Sequence, residues 1–308
     1  MRVGVTDIGT NSTRLYIADV DDHGRIDELV RRSEITRLGD KVDSTGRLSD
    51  AAIARVFSTL NDYTALMDEQ DATERPAVLT SAVRDADNGA EFVDTIRERF
   101  GLDAQMIEGA REAQLSFLGA TSDRDASNVT PTLVIDVGGG STELIVGASR
   151  EVGFSVSLQA GAVRYSERHL HSDPPTQPEF AALASDLRAT IEAGVPAEVR
   201  RSARAAIAVA GTATSCAAVD QALDPYDPKR VHGYRLELTT LKLLLARLAA
   251  MPLAERRNVR GLHPDRAPTI VAGISILIGV LQAFELDSFE ASEHDILRGV
   301  ALDRAGFA

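Results

Sequence analysis

The chain has 308 residues, 44% of them apolar and 26% charged, which suits two ordinary domains or one large α/β domain and is not the composition of a disordered chain. Its 46 acidic residues outnumber 33 basic ones, a net charge of −13, which argues against nucleic-acid binding through a basic face but leaves room for a local cationic pocket that takes a polyanion. One cysteine, Cys216, excludes an intrachain disulfide and fits a reducing cytosol, and no secretory signal pattern opens the chain.

The chain opens on "VGVTDIGTNSTRLYIADV", two strand-like runs around a loop that is too long and too rich in hydroxyls for a plain two-residue hairpin turn. This first hairpin is expected to run to about Val20. The segment "RRSEITRLGDKVDSTGRLSD" follows, with a turn at Thr45-Gly46 and an N-cap at Ser49 or Asp50. Ile53, Val56, Phe57, Leu60 and Leu66 recur at helical spacing, so a helix is expected from Ala51 to about Asp68. "PAVLTSAVRDA" reads as a strand and then a polar turn near Ser81 to Arg84. A helix through "GAEFVDTIRERFG" should stop at Gly101. "DAQMIEGAREAQLSFLGAT" passes from strand through Glu108-Gly109 into a helix.

The polar, aperiodic "TSDRDASNVTP" is the expected linker. Beyond it, "TLVIDVGGGSTELIVG" is a second hairpin, and "AAIAVAGTATSCAAV" is a strand, a Gly-Thr turn and a helix. The last third reads as helical. Its apolar run "IVAGISILIGVLQAF" is short for a membrane span and carries Ser275 and Gln282, so a buried core helix is expected and no membrane association. His169, His171, His232, His263 and His294 show no compact metal-ligand spacing and read as structural.

Superposing Asp7 on Asp136 exposes an internal repeat, DIGTNSTRLYIA over DVGGGSTELIVG, with Asp, Gly, Ser, Thr and Leu in register. Such a loop can turn its N–H groups toward an anion, with glycine allowing close approach and hydroxyls adding donors. An Asp at the end of each first strand can hold a metal ion or its water. Two such hairpins facing each other across a cleft would grip a phosphoryl group and its Mg²⁺. A Gly-Thr turn at Gly211 and Thr212 adds a weaker anion-binding signal.

The paired hairpins, the segment "TSAVRDA" between them and the helix "EGAREAQLSFLG" resemble the exopolyphosphatase/guanosine pentaphosphate phosphatase (Ppx/GppA) family; "RLG", "VDSTGRLS" and "SDPPT" also fit, so the likeness spans nearly the whole chain. The resemblance implies an α/β fold of two related actin-like (ribonuclease H-like) lobes with an interlobe cleft. These are expected over residues 1–124 and 125–308, with the last helix able to pack back on the first lobe, and the length is similar to that of the short family members. It implies release of orthophosphate from the end of inorganic polyphosphate, of short chains in particular, in the cytoplasm; a homodimer is compatible with it. Hydrolysis of pppGpp is the main alternative, and a sugar kinase or a non-catalytic nucleotide sensor of the same superfold are more distant ones.

By the same resemblance Glu112 is the general base, with Arg84 beside it in catalysis. Asp136 and Glu143 hold Mg²⁺ (or Mn²⁺), and the repeat adds Asp7 of the first hairpin as a further metal-ligating candidate. Gly138, Gly139, Gly140, Ser141 and Thr142 bind phosphate, and Asn11, Ser12, Arg14, Ser81 and Arg84 match further phosphate-contacting positions; Gly211 and Thr212 are added from the Gly-Thr turn alone. Three departures stand out. Arg111 occupies a position that is often acidic in the family and is read either as an added cation or as a group that lowers the pKa of the base. In "SEHDILRG", Asp295 and Leu297 stand where the family pattern has Gly and Arg. In "RAPTI", Pro268 removes a carboxylate.

Overall fold

The computed structural model describes residues 1–125, 128–149 and 151–307. Residues 126 and 127 of the expected linker lie outside them. The chain forms two compact units, Met1–Ser122 with Asp295–Ala308, and Asp123–His294. The second unit is thus shorter than 125–308 and begins at Asp123, and the last helix belongs to the first unit, the packing that the expected domains left room for.

The first unit is built from β1 (Arg2–Ile8), β2 (Thr13–Val20), β3 (Ile26–Glu34), the one-turn helix α1 (Val42–Thr45), α2 (Asp50–Glu69), β4 (Pro76–Leu79), the one-turn helix α3 (Ser81–Arg84), α4 (Gly89–Phe100), β5 (Asp103–Met106) and α5 (Gly109–Ala120). Its sheet has the order β3-β2-β1-β4-β5, antiparallel across β3-β2-β1 and parallel across β1-β4-β5. One face packs on α2 and α4 through Leu15, Ile17, Val56, Leu60, Phe92 and Ile96. The other takes Val3, Val5, Tyr16 and Leu115 together with Leu297 and Val300 from the end of the chain.

The second unit runs through β6 (Thr132–Val137), β7 (Thr142–Ala148), β8 (Glu151–Leu158), α6 (Ala162–His169), α7 (Gln177–Gly194), α8 (Ala197–Arg200), β9 (Ala205–Val209), α9 (Ala210–Asp220), α10 (Pro228–Val231), β10 (Arg235–Glu237), α11 (Leu238–Ala249), α12 (Leu253–Arg256), a 3₁₀ turn at Pro264–Arg266, α13 (Ile270–Ala283) and β11 (Ser288–Ala291). Helix α14 (Ile296–Arg304) then closes the first unit. The second sheet reads β8-β7-β6-β9-β11-β10 from its other edge, the same order with β10 added antiparallel outside β11. Both units thus share one strand order, the doubled α/β architecture that the repeat implied. The apolar run forms α13, which is buried along most of its length. No helix among the described residues is long and apolar enough to cross a membrane.

Some local expectations change. Ser49 is the N-cap of α2, its Oγ accepting the Ala52 N–H at 3.3 Å, and Gly101 caps α4 in the left-handed conformation (φ 64°). Ser81–Arg84 is one helical turn rather than a polar turn. Strand β3 was not evident because "IDELVRRSE" is an edge strand with no buried face to impose alternation. In the last third, β10 and β11 are three and four residues long, too short to show a period.

Candidate active site

The parallel strands bring the expected residues to one edge of each sheet. In the first unit Asp7 lies level with Val78 and Ile8 with Leu79, while Leu79 lies level with Met106. The first hairpin loop, the start of α3 and the start of α5 therefore all leave the carboxyl ends of neighbouring strands, where open α/β sheets place their ligands. In the second unit Asp136 lies level with Val209, so the second hairpin loop and the start of α9 share an edge in the same way.

The two hairpins have the same construction. The Gly9 N–H donates to Ser12 O at 3.0 Å, and the Gly138 N–H donates to Ser141 O at 3.0 Å. In each, a second segment claims the loop carbonyls. The Gly39 N–H donates to Thr10 O and the Arg37 N–H to Asn11 O. In the second loop Gly138 O accepts from Ala162 N–H, Gly139 O from Val163 and Arg164 N–H, and Gly140 O from Arg164 Nε at 2.7 Å. A trans peptide points its N–H away from its own C=O. Engaging those carbonyls thus directs the N–H groups of Asn11 and Ser12, and of Gly139, Gly140 and Ser141, to the opposite side of each loop. The close seat of α6 on the second loop requires Gly161, where a Cβ would sit 2.2 Å from Gly139 O. Thr142 is buried and its hydroxyl donates to Ala160 O, bracing the loop rather than facing solvent.

The loops differ where their strands pair. Asp7 faces Arg14 across β1-β2, and Asp136 faces Glu143 across β6-β7. Arg14 donates to Asp7 Oδ2 from Nε at 2.8 Å and from Nη2 at 2.6 Å, and its Nη1 makes a short ion pair with Asp295. Burial pushes the Asp7 carboxyl up from its ordinary value, and Arg14 opposes that shift. In the second unit two nearly fully buried carboxylates stand opposite each other, Asp136 6% and Glu143 1% exposed. Adjacent buried like charges are unfavourable unless a cation or a shared proton offsets them, so this pair has the donor set of a hard divalent cation site. Ser157 on β8 donates to Glu143 Oε1 at 2.7 Å and fixes its orientation.

Glu112 lies in the first turn of α5, where the helix dipole favours a carboxylate, and it is 7% exposed. Arg84 Nη1 donates to Glu112 Oε2 at 3.2 Å and to Ile107 O at 2.7 Å, so the backbone holds the guanidinium against the carboxylate. Ser81 is buried and its hydroxyl pairs with Thr10 Oγ1 at 2.9 Å, tying α3 to the first loop. Asn11 and Ser12, in the loop itself, are partly exposed. Arg111 is not an added cation beside these groups: its Nη2 pairs with Asp303 of α14 at 2.6 Å.

Gly211 and Thr212 form the first turn of α9 rather than a separate loop, entered through Ala210 in the left-handed conformation (φ 62°), a strained state for a residue with a Cβ. The Arg266 guanidinium packs directly on Gly211, where a Cβ would meet Nη1 at 1.4 Å.

Asp295, Ser157, Arg164 and Arg266 were not among the residues expected from the sequence. Only Asp295 left a trace, as an acid standing where the resemblance predicts glycine. It is the N-cap of α14, its Oδ1 accepting the Leu297 N–H at 3.0 Å while its other oxygen takes Arg14, and Leu297 is core.

Residues 16–306 match the model of the Ppx/GppA phosphatase family. The chain is 37% identical to Exopolyphosphatase 2 of Mycobacterium tuberculosis over 317 aligned residues, covering 99% of each chain. The crystal structure of an exopolyphosphatase-like protein superposes with a TM-score of 0.91 at 36% identity, covering 99% of both chains. That of an Aquifex aeolicus Ppx/GppA family member gives a TM-score of 0.83 at 32% identity, covering 99% of this chain and 97% of the other. With its repeated hairpins, its buried helix-borne glutamate and this likeness over its full length, the chain belongs to the Ppx/GppA phosphatase family.

Proposed function

We propose that the protein is an exopolyphosphatase that hydrolyses the terminal phosphoryl group of inorganic polyphosphate and releases orthophosphate. The observation that carries the reading is the second hairpin, where an anion-facing Gly loop ends on two buried, directly opposed carboxylates. The substrate class comes from the name of the mycobacterial relative.

In this reading Glu112 accepts the proton of the attacking water, and Arg84 holds it aimed. The N–H groups of Gly139, Gly140 and Ser141 receive the charge that grows on the phosphoryl oxygens. Asp136 and Glu143 hold Mg²⁺, with Mn²⁺ as a substitute, and the ion would offset that same charge. Asp7 is already engaged by Arg14, so we assign it to fixing that arginine rather than to the metal. Arg14, shared between two carboxylates, orders the loop carrying Asn11 and Ser12. The net charge of −13 repels the remote part of a long polyanion, so short chains are the preferred substrate at low ionic strength.

The test is orthophosphate release from polyphosphates of several lengths and from pppGpp, at matched chain ends, by the wild type and by Glu112→Gln. The reading predicts faster release from short polyphosphate than from pppGpp, and a fall in kcat of about 10²-fold or more in the variant with polyphosphate binding retained. Near-wild-type turnover by Glu112→Gln would remove it as the base, and a clear preference for pppGpp would reassign the substrate.

A further inference from the structure

The second unit contains a cluster that the hydrolytic chemistry does not use. Asp123 follows α5, His232 follows α10 and His294 follows β11; far apart in the chain, they meet at one point. One donor atom from each lies within 4.8 Å of the others, and no other group of three or more His, Cys, Asp or Glu among the described residues does so. His232 Nε2 is 3.1 Å from Asp123 Oδ2, and His294 Nδ1 is 3.6 Å from the same oxygen. The two imidazole rings lie 4.2 Å apart at 36°.

We propose that Asp123, His232 and His294 bind a first-row divalent transition metal ion of the Zn²⁺ type, separate from the Asp136–Glu143 pair. Zinc ligands at about 2.0–2.1 Å in a tetrahedron stand about 3.3–3.4 Å apart. The two observed separations bracket that edge, and 3.6 Å is long for a hydrogen bond. Two imidazoles and one carboxylate suit Zn²⁺, Co²⁺, Ni²⁺ or Cu²⁺ and not Mg²⁺ or Ca²⁺, which take oxygen ligands. The three side chains are between 20% and 41% exposed, so an ion can enter and water can fill the fourth position.

The surroundings hold the ligands in place. The Gly233 N–H donates to Ala291 O at 2.9 Å and ties the His232 turn to β11. The His294 N–H donates to Ser292 Oγ at 2.9 Å, and that hydroxyl donates to His294 O at 3.0 Å. His232 Nδ1 accepts from the Glu293 N–H at 3.3 Å, which places the imidazole proton on Nε2, facing Asp123. Metal binding takes the Nε2 lone pair, so that proton leaves Nε2 and the neutral ligand carries its proton on Nδ1. Ser292 Oγ, 3.5 Å away, is the acceptor for it, and the Glu293 contact lengthens. Asp123 and His294 are also the first and last residues of the second unit. A bound ion would clamp together the points at which the chain enters and leaves that unit.

The test uses the full chain, stripped with EDTA and titrated with Zn²⁺ against a competing chelating dye in excess Mg²⁺, which occupies oxygen-ligand sites. The expected result is one Zn²⁺ per chain, and visible absorption bands on loading with Co²⁺. His232→Gln and His294→Gln should each weaken Zn²⁺ binding at least about tenfold, the loss that follows from disturbing even an outer partner of a metal ligand, and should abolish the Co²⁺ bands. Asp123→Asn, which keeps the side-chain shape, should weaken binding with an unchanged circular dichroism spectrum, separating lost ligation from lost folding. No Zn²⁺ uptake by the wild type in excess Mg²⁺, or uptake as tight in the His232→Gln/His294→Gln double variant, would overturn the proposal.

Discussion

Glu143→Gln separates two roles of the buried carboxylate pair. Asp136 and Glu143 are direct cross-strand partners, so their Cβ atoms are about 5 Å apart. At an effective dielectric of about 20, two unit charges at that distance repel by about 3 kcal/mol, which a shared proton would reduce. The glutamine amide oxygen can still accept from Ser157, so the substitution removes the charge and keeps that bond. Without metal, the variant should therefore be more stable than the wild type, by up to about 3 kcal/mol. For a domain of 150–250 residues each kcal/mol is worth about 2–4 °C in Tm. With Mg²⁺ the gap should narrow or close. At a concentration 100 times Kd the wild type gains about 2.7 kcal/mol from binding, most of which the variant forfeits together with turnover. The assay is thermal unfolding of both proteins in EDTA and across a Mg²⁺ titration. A variant no more stable than the wild type in EDTA, with its Mg²⁺-induced rise intact, would refute the reasoning.

Arg84→Met removes one cation beside Glu112, so the acid limb of the kcat/KM pH profile should move to higher pH; a limb that stays in place would show that Arg84 does not tune the base. Gly211→Ala should push the Arg266 guanidinium off the start of α9 and lower kcat/KM by about 10²-fold while circular dichroism stays unchanged, with wild-type kinetics counting against a role for that cation. Glu179 accepts from the Thr176, His171 and Ser172 N–H groups in the capping box of α7, and these bonds, that of Thr176 foremost, lower its carboxyl from 4.5 to about 2. A depressed carboxylate contributes stability above its unfolded value and loses it as pH falls from about 4.5 to about 2. Glu179→Gln should remove that part of the acid sensitivity in pH-dependent unfolding, and an identical acid transition would show that the cap does not matter.

The sequence by itself determined the repeat, and with it the doubled architecture. Short apolar runs broken by a Gly-hydroxyl loop read as hairpins, and matching Asp, Gly and Ser positions produce matching turns, as Gly9–Ser12 and Gly138–Ser141 do. The long helices were legible for the same reason: α2 and α13 carry their buried faces in their own spacing and composition. Ser81, Arg84, Glu112, Gly211 and Thr212 could be picked out as residues, but their neighbours could not. Strand register decided that Asp136 meets Glu143 where Asp7 meets Arg14, and so which hairpin has paired carboxylates and which an ion pair. Tertiary packing set Arg266 on Gly211, paired Arg111 with Asp303 and brought Asp295 to Arg14. It also gathered Asp123, His232 and His294 into one cluster. A sequence pattern reports contacts between residues a few positions apart, where backbone geometry alone fixes the distance. These partners are separated by long stretches of chain, and only the docking of whole elements brings them within bonding distance.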